Sequence, residues 1–194
     1  MEHDGVEVTA CERCDDLVES RSQIVNGQGP VGADLLFIGE APGANEDRQG
    51  EPFVGRSGEI LDEIFIEQGI TRDAVRITNC VRCRPPENRD PTKAELEACQ
   101  DHLEREISIV DPALIVTLGK VPAEHLLGRD VAVTSEAGNT ETIQVGEKVR
   151  DVLVCVHPAA SLYDPGQRET LEEVIAIAIN RTGIEGSQSQ LHDF

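Results

Sequence analysis

Apolar residues are concentrated in short runs that alternate with segments of helical spacing. The runs at 34–39, 75–80, 113–119 and 152–156 predict four buried strands. The third run is apolar on both faces, which is typical of a parallel strand covered by helices on both sides. Because strands and helical segments alternate, the pattern predicts an α/β fold in which helices sandwich a parallel sheet.

Helical spacing and capping signals predict the helices around these strands. Thr92 and Glu95 form a capping box, Asp164 precedes Pro165, and Ser57 is placed to cap a third helix. The predicted helices occupy 17–24, 57–69, 92–111, 121–127 and 165–183. Residues 129–150 are expected to form a hairpin or a long loop. We expect one domain at 1–183 and a disordered tail at 184–194.

Residues 39–58, here called the glycine loop, separate the first predicted strand from the next helix and read GEAPGANEDRQGEPFVGRSG. Loops at the carboxyl ends of parallel strands are where open α/β sheets bind ligands. The alternative is an ordinary surface loop with solvated acids and one core aromatic, Phe53. The density of glycine and proline around that lone aromatic favours a binding loop, since glycine lets the backbone approach a ligand closely.

Two further strands end in unusual polar residues. Asn79 lies at the end of the second predicted strand, and His157-Pro158 follows the fourth. Because the carboxyl ends of parallel strands meet at one edge of a sheet, we expect these residues to lie beside the glycine loop. The sequence therefore predicts one site assembled from three separate loops.

The charge of the chain is strongly negative. It carries 37 acidic residues against 17 Lys and Arg, of which only three are lysine, and the net charge is −20. A solvated acidic surface of this kind is typical of a halophile, and it argues against generic nucleic-acid binding, which needs basic residues. The segment 48–89 is an exception, because its seven arginines balance seven acids. One face of the molecule could therefore be far less negative than the rest.

No apolar run is long enough to cross a bilayer, and the N-terminus lacks a basic and apolar signal. We therefore expect no membrane association and a cytoplasmic, nucleoid-associated protein.

The chain contains six cysteines. Because disulfides are rare in the cytoplasm, these cysteines favour a metal site over a disulfide framework. Cys11 and Cys14 form a C-x-x-C pair, Cys83 lies in a predicted loop, and Cys99 faces inward from a predicted helix. Four thiolates in two groups suit a tetrahedral zinc ion or an iron–sulfur cluster, and spacing alone does not choose between them. Cys80 and Cys155 lie within strands and are interpreted as buried structural thiols.

Several motifs in this order resemble the family-4 uracil-DNA glycosylases, the iron–sulfur group of bacteria and archaea. They are the C-x-x-C pair, GEAPGANEDRQGEPFVGRSG, ITNCVRCRPPENRDPT, the Cys99 spacing and HPAASLY, and they span nearly the whole chain. The resemblance, together with the acidic composition, suggests a halophilic archaeal source. It implies a three-layer αβα sandwich with a four-stranded parallel sheet. It also implies a [4Fe–4S] cluster on Cys11, Cys14, Cys83 and Cys99.

The resemblance also assigns roles within the site. A flipped base would stack on Phe53, and Asn79 would accept from uracil N3–H and donate to O4. Glu46 matches the position that crowds C5 of the base and so disfavours thymine. His157 would donate to O2 as charge develops, and Glu40 with the backbone at Ala41 and Gly43 would hold the attacking water.

The resemblance also implies that the segment from Ala159 to Tyr163 enters the minor groove. Leu162 is the candidate wedge there, with Ser161 as the competing position.

The function implied is a monofunctional, monomeric uracil-DNA glycosylase that acts on single- or double-stranded DNA in base-excision repair. Two alternatives stay open. A phosphate-binding enzyme is disfavoured because neither G-x-x-x-x-G-K-[ST] nor G-x-G-x-x-G is present. The second alternative is a non-catalytic iron–sulfur module that binds DNA or senses redox state.

Overall fold

The structure, a computed structural model, describes residues 5–184. Its strands are β1 (Leu35–Gly39), β2 (Arg76–Asn79), β3 (Leu114–Leu118), β4 (Thr140–Val145) and β5 (Lys148–Cys155). Its α-helices are α1 (Asp15–Ser20), α2 (Ala44–Gln49), α3 (Arg56–Glu67), α4 (Lys93–Val110), α5 (Lys120–Leu127), α6 (Val133–Glu136) and α7 (Pro165–Thr182). Short 3₁₀ helices lie at Arg72–Ala74, Pro86–Asn88 and Pro158–Leu162.

The five strands form one sheet in the order β2-β1-β3-β5-β4. β1 pairs in parallel with β2 and β3, and β3 pairs in parallel with β5. These four strands confirm the predicted parallel sheet. The carboxyl ends of β1, β2 and β5 consequently lie along one edge.

The expected count of four strands is wrong, because β4 adds a fifth, antiparallel to β5. It arises within 129–150, for which the sequence predicts a hairpin or a long loop. β4 is an edge strand whose first five residues alternate between exposed and half-buried positions, and only its last residue, Val145, is buried. Such a strand buries little apolar surface, which explains its weak signal in the sequence.

Helices cover both faces of the sheet. On one face, Phe37 of β1 packs against Phe65 of α3 with ring centroids 5.1 Å apart, and the inward residues of α7 join the same cluster. On the other face, Leu36 and Ile38 pack with Leu103 and Ile107 of α4. The alternate residues of β1 thus face opposite cores, which gives the three predicted layers.

Most predicted helix ends are confirmed, but α1 begins two residues before and ends four residues before its predicted bounds of 17–24. The Thr92–Glu95 capping box opens α4, the Asp164 side chain accepts from the Gly166 amide at 2.9 Å, and Gly183 ends α7 with a φ of 65°. Ser57 does not cap α3, because Gly55 occupies that position and Ser57 lies within the first turn. α2 was not predicted, since it lies inside the glycine loop.

A buried ion-pair network joins β2 to α4. Glu106 is fully buried, and its carboxylate accepts from Arg76 Nε at 2.8 Å and from Arg82 Nη2 at 2.6 Å. Breaking such a buried pair leaves an uncompensated charge and is costly. The network therefore fixes the segment that carries Asn79 and Cys83 against α4.

The ends of the chain are only partly described. Ile184, the first residue of the expected tail, packs against the core beside α7. The rest of that expected tail, 185–194, lies outside the described residues. No helix within 5–184 is both long enough and apolar enough to span a bilayer.

Candidate active site

A pocket lies at the edge where β1, β2 and β5 end. It contains about 510 Å³ of empty space, part of it open to solvent. Its lining residues are Glu40, Ala41, Gly43, Glu46, Phe53, Ser57, Asn79 and His157. All seven residues predicted for base binding and catalysis are therefore brought together.

Phe53 is held in an unusual backbone conformation. Its φ is 53°, a left-handed value that non-glycine residues adopt rarely, and its side chain is buried at 6% exposure. Arg72 holds this bend by donating to the carbonyl of Phe53 at 2.9 Å and to that of Pro52. The first turn of α3 also packs closely here, since a Cβ at Gly58 would lie 1.7 Å from the Phe53 carbonyl oxygen. These contacts fix the ring at the pocket wall.

Asn79 reaches the same pocket from the end of β2. The residue is 3% exposed, and its Oδ1 atom has no hydrogen-bond partner within the described part of the chain. A buried amide oxygen without a partner is costly, so such an atom marks a place where a ligand can donate. Gly39 makes room for it, because a Cβ there would lie 2.5 Å from both Asn79 Oδ1 and the Phe53 ring.

His157 completes the pocket from the loop after β5. Its Nδ1 atom accepts the backbone N–H of Ala159 at 3.1 Å, so in the neutral imidazole the proton is assigned to Nε2. Burial lowers the pKa of His157 and favours that neutral form. The imidazole centroid lies 6.1 Å from that of Phe53, with 32° between the ring planes. His157 is thus a neutral donor beside an aromatic wall.

Glu46 ties together the two arms of the glycine loop. Its Oε2 atom accepts from the Gly43 amide at 3.1 Å, and its Oε1 atom accepts from the amides of Val54 and Gly55 at 3.1 and 2.8 Å. Three backbone donors satisfy this carboxylate. Glu46 therefore shapes the pocket as well as lining it.

Glu40 is the second acid that lines the pocket. Burial raises its pKa to about 7, and the charge and hydrogen bond of the Asp90 side chain act in the same direction. The pKa of the Glu40 carboxyl group therefore lies close to neutral pH. A group with such a pKa can either accept or donate a proton.

The two wedge candidates make contacts of their own. Ser161 Oγ donates to the Pro158 carbonyl at 2.6 Å, and Leu162 is partly buried against the core. The next residue, Tyr163, is 89% exposed. Of these three side chains, only that of Tyr163 is directed fully into solvent.

The four cysteines predicted as ligands line one apolar pocket with about 340 Å³ of empty space, part of it open to solvent. Ala41, which lines the pocket of Phe53 and Asn79, also packs against the hydrophobic cluster that contains Cys83 and Cys99. Burial, together with the other thiols, raises the pKa values of Cys14, Cys83 and Cys99, the last to about 11. Arg21 Nη1 donates to Cys83 Sγ at 3.0 Å. Cys80 and Cys155 are buried elsewhere, as expected.

The thiols do not converge on one point. Within residues 5–184 no group of three or more His, Cys, Asp or Glu side chains is close enough to hold a single metal ion. A zinc ion needs four ligands about 2.3 Å away, whereas a cluster is larger and spreads its thiolates further apart. The donor set, the apolar lining and the N–H···S contact fit a cluster.

Comparison with known proteins agrees with this geometry. The model of the uracil DNA glycosylase superfamily matches residues 26–178. The type-4 uracil-DNA glycosylase of Sulfurisphaera tokodaii is 42% identical over 86% of this chain and 78% of its own length. The chain belongs to the type-4 uracil-DNA glycosylases. The type-4 enzymes of Thermotoga maritima and Archaeoglobus fulgidus are 41% and 40% identical, over 90% and 86% of this chain and 91% and 85% of their own lengths.

Three residues that line the pocket or act on its side chains in this uracil-DNA glycosylase fold were not predicted from the sequence. Ser57 lines the pocket, Arg72 fixes the Phe53 backbone, and Asp90 acts on Glu40. Ser57 could have been found, because it belongs to the glycine loop. Arg72 and Asp90 act from outside that loop, and no local pattern in the sequence indicates their contacts.

Proposed function

We propose that this protein is a monofunctional uracil-DNA glycosylase, which hydrolyses the N-glycosidic bond of deoxyuridine in DNA to give free uracil and an abasic site. The single observation that carries the proposal is the pocket in which Phe53, Asn79 and His157 meet. The names of the type-4 relatives support the same activity. Uracil in a duplex cannot reach such a pocket, so the nucleotide must be everted first.

Asn79 selects the base. Its unpartnered Oδ1 accepts N3–H of uracil, and its Nδ2 donates to O4. Cytosine presents an acceptor at N3 and a donor at C4, which is the opposite pattern. A site built around such a pair rejects the wrong base strongly, because its buried polar groups are left unpaired.

The loop residues hold the rest of the base. Phe53 stacks on its face. Glu46, fixed by three backbone amides, closes the pocket at C5, where thymine carries a methyl group. In this arrangement the carboxylate of Glu46 excludes thymine sterically, and the exclusion involves no proton transfer.

His157 and Glu40 act on bond breakage. As the bond breaks, negative charge develops on the uracil and the sugar becomes cationic. Neutral His157 donates Nε2–H to O2 of the departing base, while the backbone at Ala41 and Gly43 and the Glu40 side chain position water on the sugar. An ionised Glu40 also stabilises the cationic sugar.

We further propose that Cys11, Cys14, Cys83 and Cys99 hold a [4Fe–4S] cluster. The fit of the apolar, four-thiol pocket supports this assignment. When bound, the cluster supplies a covalent tie between the N-terminal segment and α4, and base release requires no redox chemistry from it. It would also fix the 82–89 loop that leads from Asn79 toward Asp90.

Replacing one proposed ligand should remove the cluster. We expect Cys99→Ala to lose most of the iron and acid-labile sulfide of the purified protein and to lower its melting temperature by roughly 5–10 °C. Cys155→Ala is the matched control, because it truncates another buried thiol that does not line the pocket. Equal iron content in both variants, or zinc in the wild-type protein, would contradict the cluster assignment.

DNA is the proposed macromolecular partner, and we propose that the protein acts on it as a monomer, in the nucleoid of the cytoplasm. Arg56 supports contact with phosphate: it is exposed beside Ser57, and within 5–184 it makes no ion pair. We also propose that the acidic surface adapts the protein to high salt, as in halophiles. Salt weakens phosphate contacts, so the two effects of salt oppose each other.

One assay tests the proposed activity. The protein is incubated with single- and double-stranded oligonucleotides that contain one uracil, over a series of salt concentrations, and the DNA is then cleaved with alkali. We expect strand breaks at the uracil only after alkali, with free uracil as the other product. A brown, DNA-binding protein that releases no base at any salt concentration would instead favour the non-catalytic module.

A further inference from the structure

Tyr163 is the exposed aromatic residue nearest in sequence to the pocket. It is the chain's only tyrosine and is 89% exposed. Phe37, Phe53 and Phe65 are buried, and Phe194 lies outside the described residues. Isolated exposed aromatics need no functional explanation in general. Tyr163 differs, because it directly follows the 3₁₀ helix that begins after His157 and its backbone is held by hydrogen bonds.

Its backbone is fixed on both sides. The 3₁₀ helix Pro158–Leu162 begins directly after His157, and Tyr163 follows its last residue. The amides of Tyr163 and Asp164 both donate to the Ala160 carbonyl at 3.2 Å, and Asp164 caps α7. Five residues of 3₁₀ helix rise by roughly 10 Å, and this rise separates the backbone of Tyr163 from that of His157 along the helix axis.

The same helix turns its other apolar side chain inward. Leu162 packs against the core beside α3 and α7, and the Ser161 hydroxyl is bonded to the Pro158 carbonyl. Leu162 could enter DNA only by giving up its core contacts, and Ser161 offers no apolar surface. The ring of Tyr163 is already exposed to solvent, so it can stack on a DNA base without giving up contacts with the protein core.

We propose that the ring of Tyr163, and not Leu162 or Ser161, is the side chain that stacks on the DNA base next to the everted nucleotide. The proposal rests on the proposed glycosylase function and deepens it. Eversion leaves an unstacked base step, and an aromatic ring on a rigid backbone fills it with little loss of conformational entropy. Stacking of one base on an aromatic side chain changes affinity by about 5- to 150-fold.

Fluorescence can observe this contact directly. The chain has one tyrosine and no tryptophan, so its intrinsic emission comes from Tyr163 alone. We expect a duplex with a stable abasic-site analogue to quench that emission with 1:1 saturation. N-acetyl-tyrosinamide titrated with the same duplex corrects for absorption by DNA. Unchanged emission at DNA concentrations where anisotropy of a labelled duplex shows full binding would overturn the proposal.

Three variants separate stacking from other roles. Tyr163→Ala should weaken duplex binding by about 5- to 150-fold, and Tyr163→Phe should bind as the wild type does, because the ring alone is needed. Leu162→Ala should lower the melting temperature, since it removes a core contact. A wild-type affinity for Tyr163→Ala, or an affinity loss on Leu162→Ala without loss of stability, would overturn the assignment.

The same variants keep this proposal distinct from the proposed activity. Tyr163→Ala should raise KM for uracil in a duplex more than for uracil in a single strand, where no stack has to be broken. If the wild-type protein releases no uracil from either substrate, the glycosylase proposal fails. If it releases uracil and Tyr163→Ala matches it on both substrates, only the stacking proposal fails.

Discussion

Asn79→Asp should lower kcat/KM for uracil release by roughly 10⁴-fold, because the new carboxylate cannot donate to O4 and faces it as an unpaired acceptor. The site is nearly closed to water at this residue, so solvent cannot compensate. A carboxylate there would also repel the negative charge that develops on the departing base. The measurement is uracil release from a single-stranded oligonucleotide, for which no duplex has to be opened.

Two controls accompany this variant. Asn139→Asp makes the same chemical change at an exposed residue that does not line the pocket and should leave the rate unchanged. The melting temperature of Asn79→Asp shows whether the buried carboxylate has impaired folding. A folded Asn79→Asp protein that releases uracil at the wild-type rate would show that this amide does not read the base.

His157→Ala should lower kcat by about 10²- to 10³-fold, which is the usual effect of removing one donor to a developing oxyanion. KM should change less, because the donor acts on charge that appears only in the transition state. His157→Gln should recover part of the rate, since its amide can also donate. Rates are measured under single-turnover conditions so that product release does not mask the chemical step.

His125→Ala is the matched control for loss of an imidazole. His125 is half-buried on α5 and is absent from the base pocket, so its removal should leave kcat unchanged. If His157→Ala retains the wild-type kcat, the imidazole is not the donor and serves only to cap the 3₁₀ helix through the Ala159 amide.

Much of the site could be predicted from the sequence because several of its residues lie at the ends of buried strands. Asn79 ends β2 and His157 follows β5, and parallel pairing brings both to the edge where the glycine loop begins. Glycine at position 39 is required by that convergence, since a Cβ there would overlap both Asn79 and Phe53. Pattern and topology were sufficient for these residues.

Other features depend on contacts that no local pattern encodes. The left-handed backbone of Phe53 is held by Arg72, 19 residues away. α2 forms inside a glycine-rich segment because Glu46 satisfies the amide at its start. β4 pairs at the sheet edge with little burial, so its alternation is weak. The choice between Leu162 and Tyr163 as the exposed residue depends on how the 3₁₀ helix packs on the core.

The central claim is that one pocket grips a single everted uracil. The most direct measurement is a crystal structure of the protein with an oligonucleotide that contains 2′-fluorodeoxyuridine, whose electron-withdrawing fluorine slows formation of the cationic sugar. We predict the uracil stacked on Phe53, with Asn79 bonded to N3 and O4 and with His157 Nε2 facing O2. A uracil bound anywhere else, or left within the DNA stack while the pocket stays empty, would contradict the account.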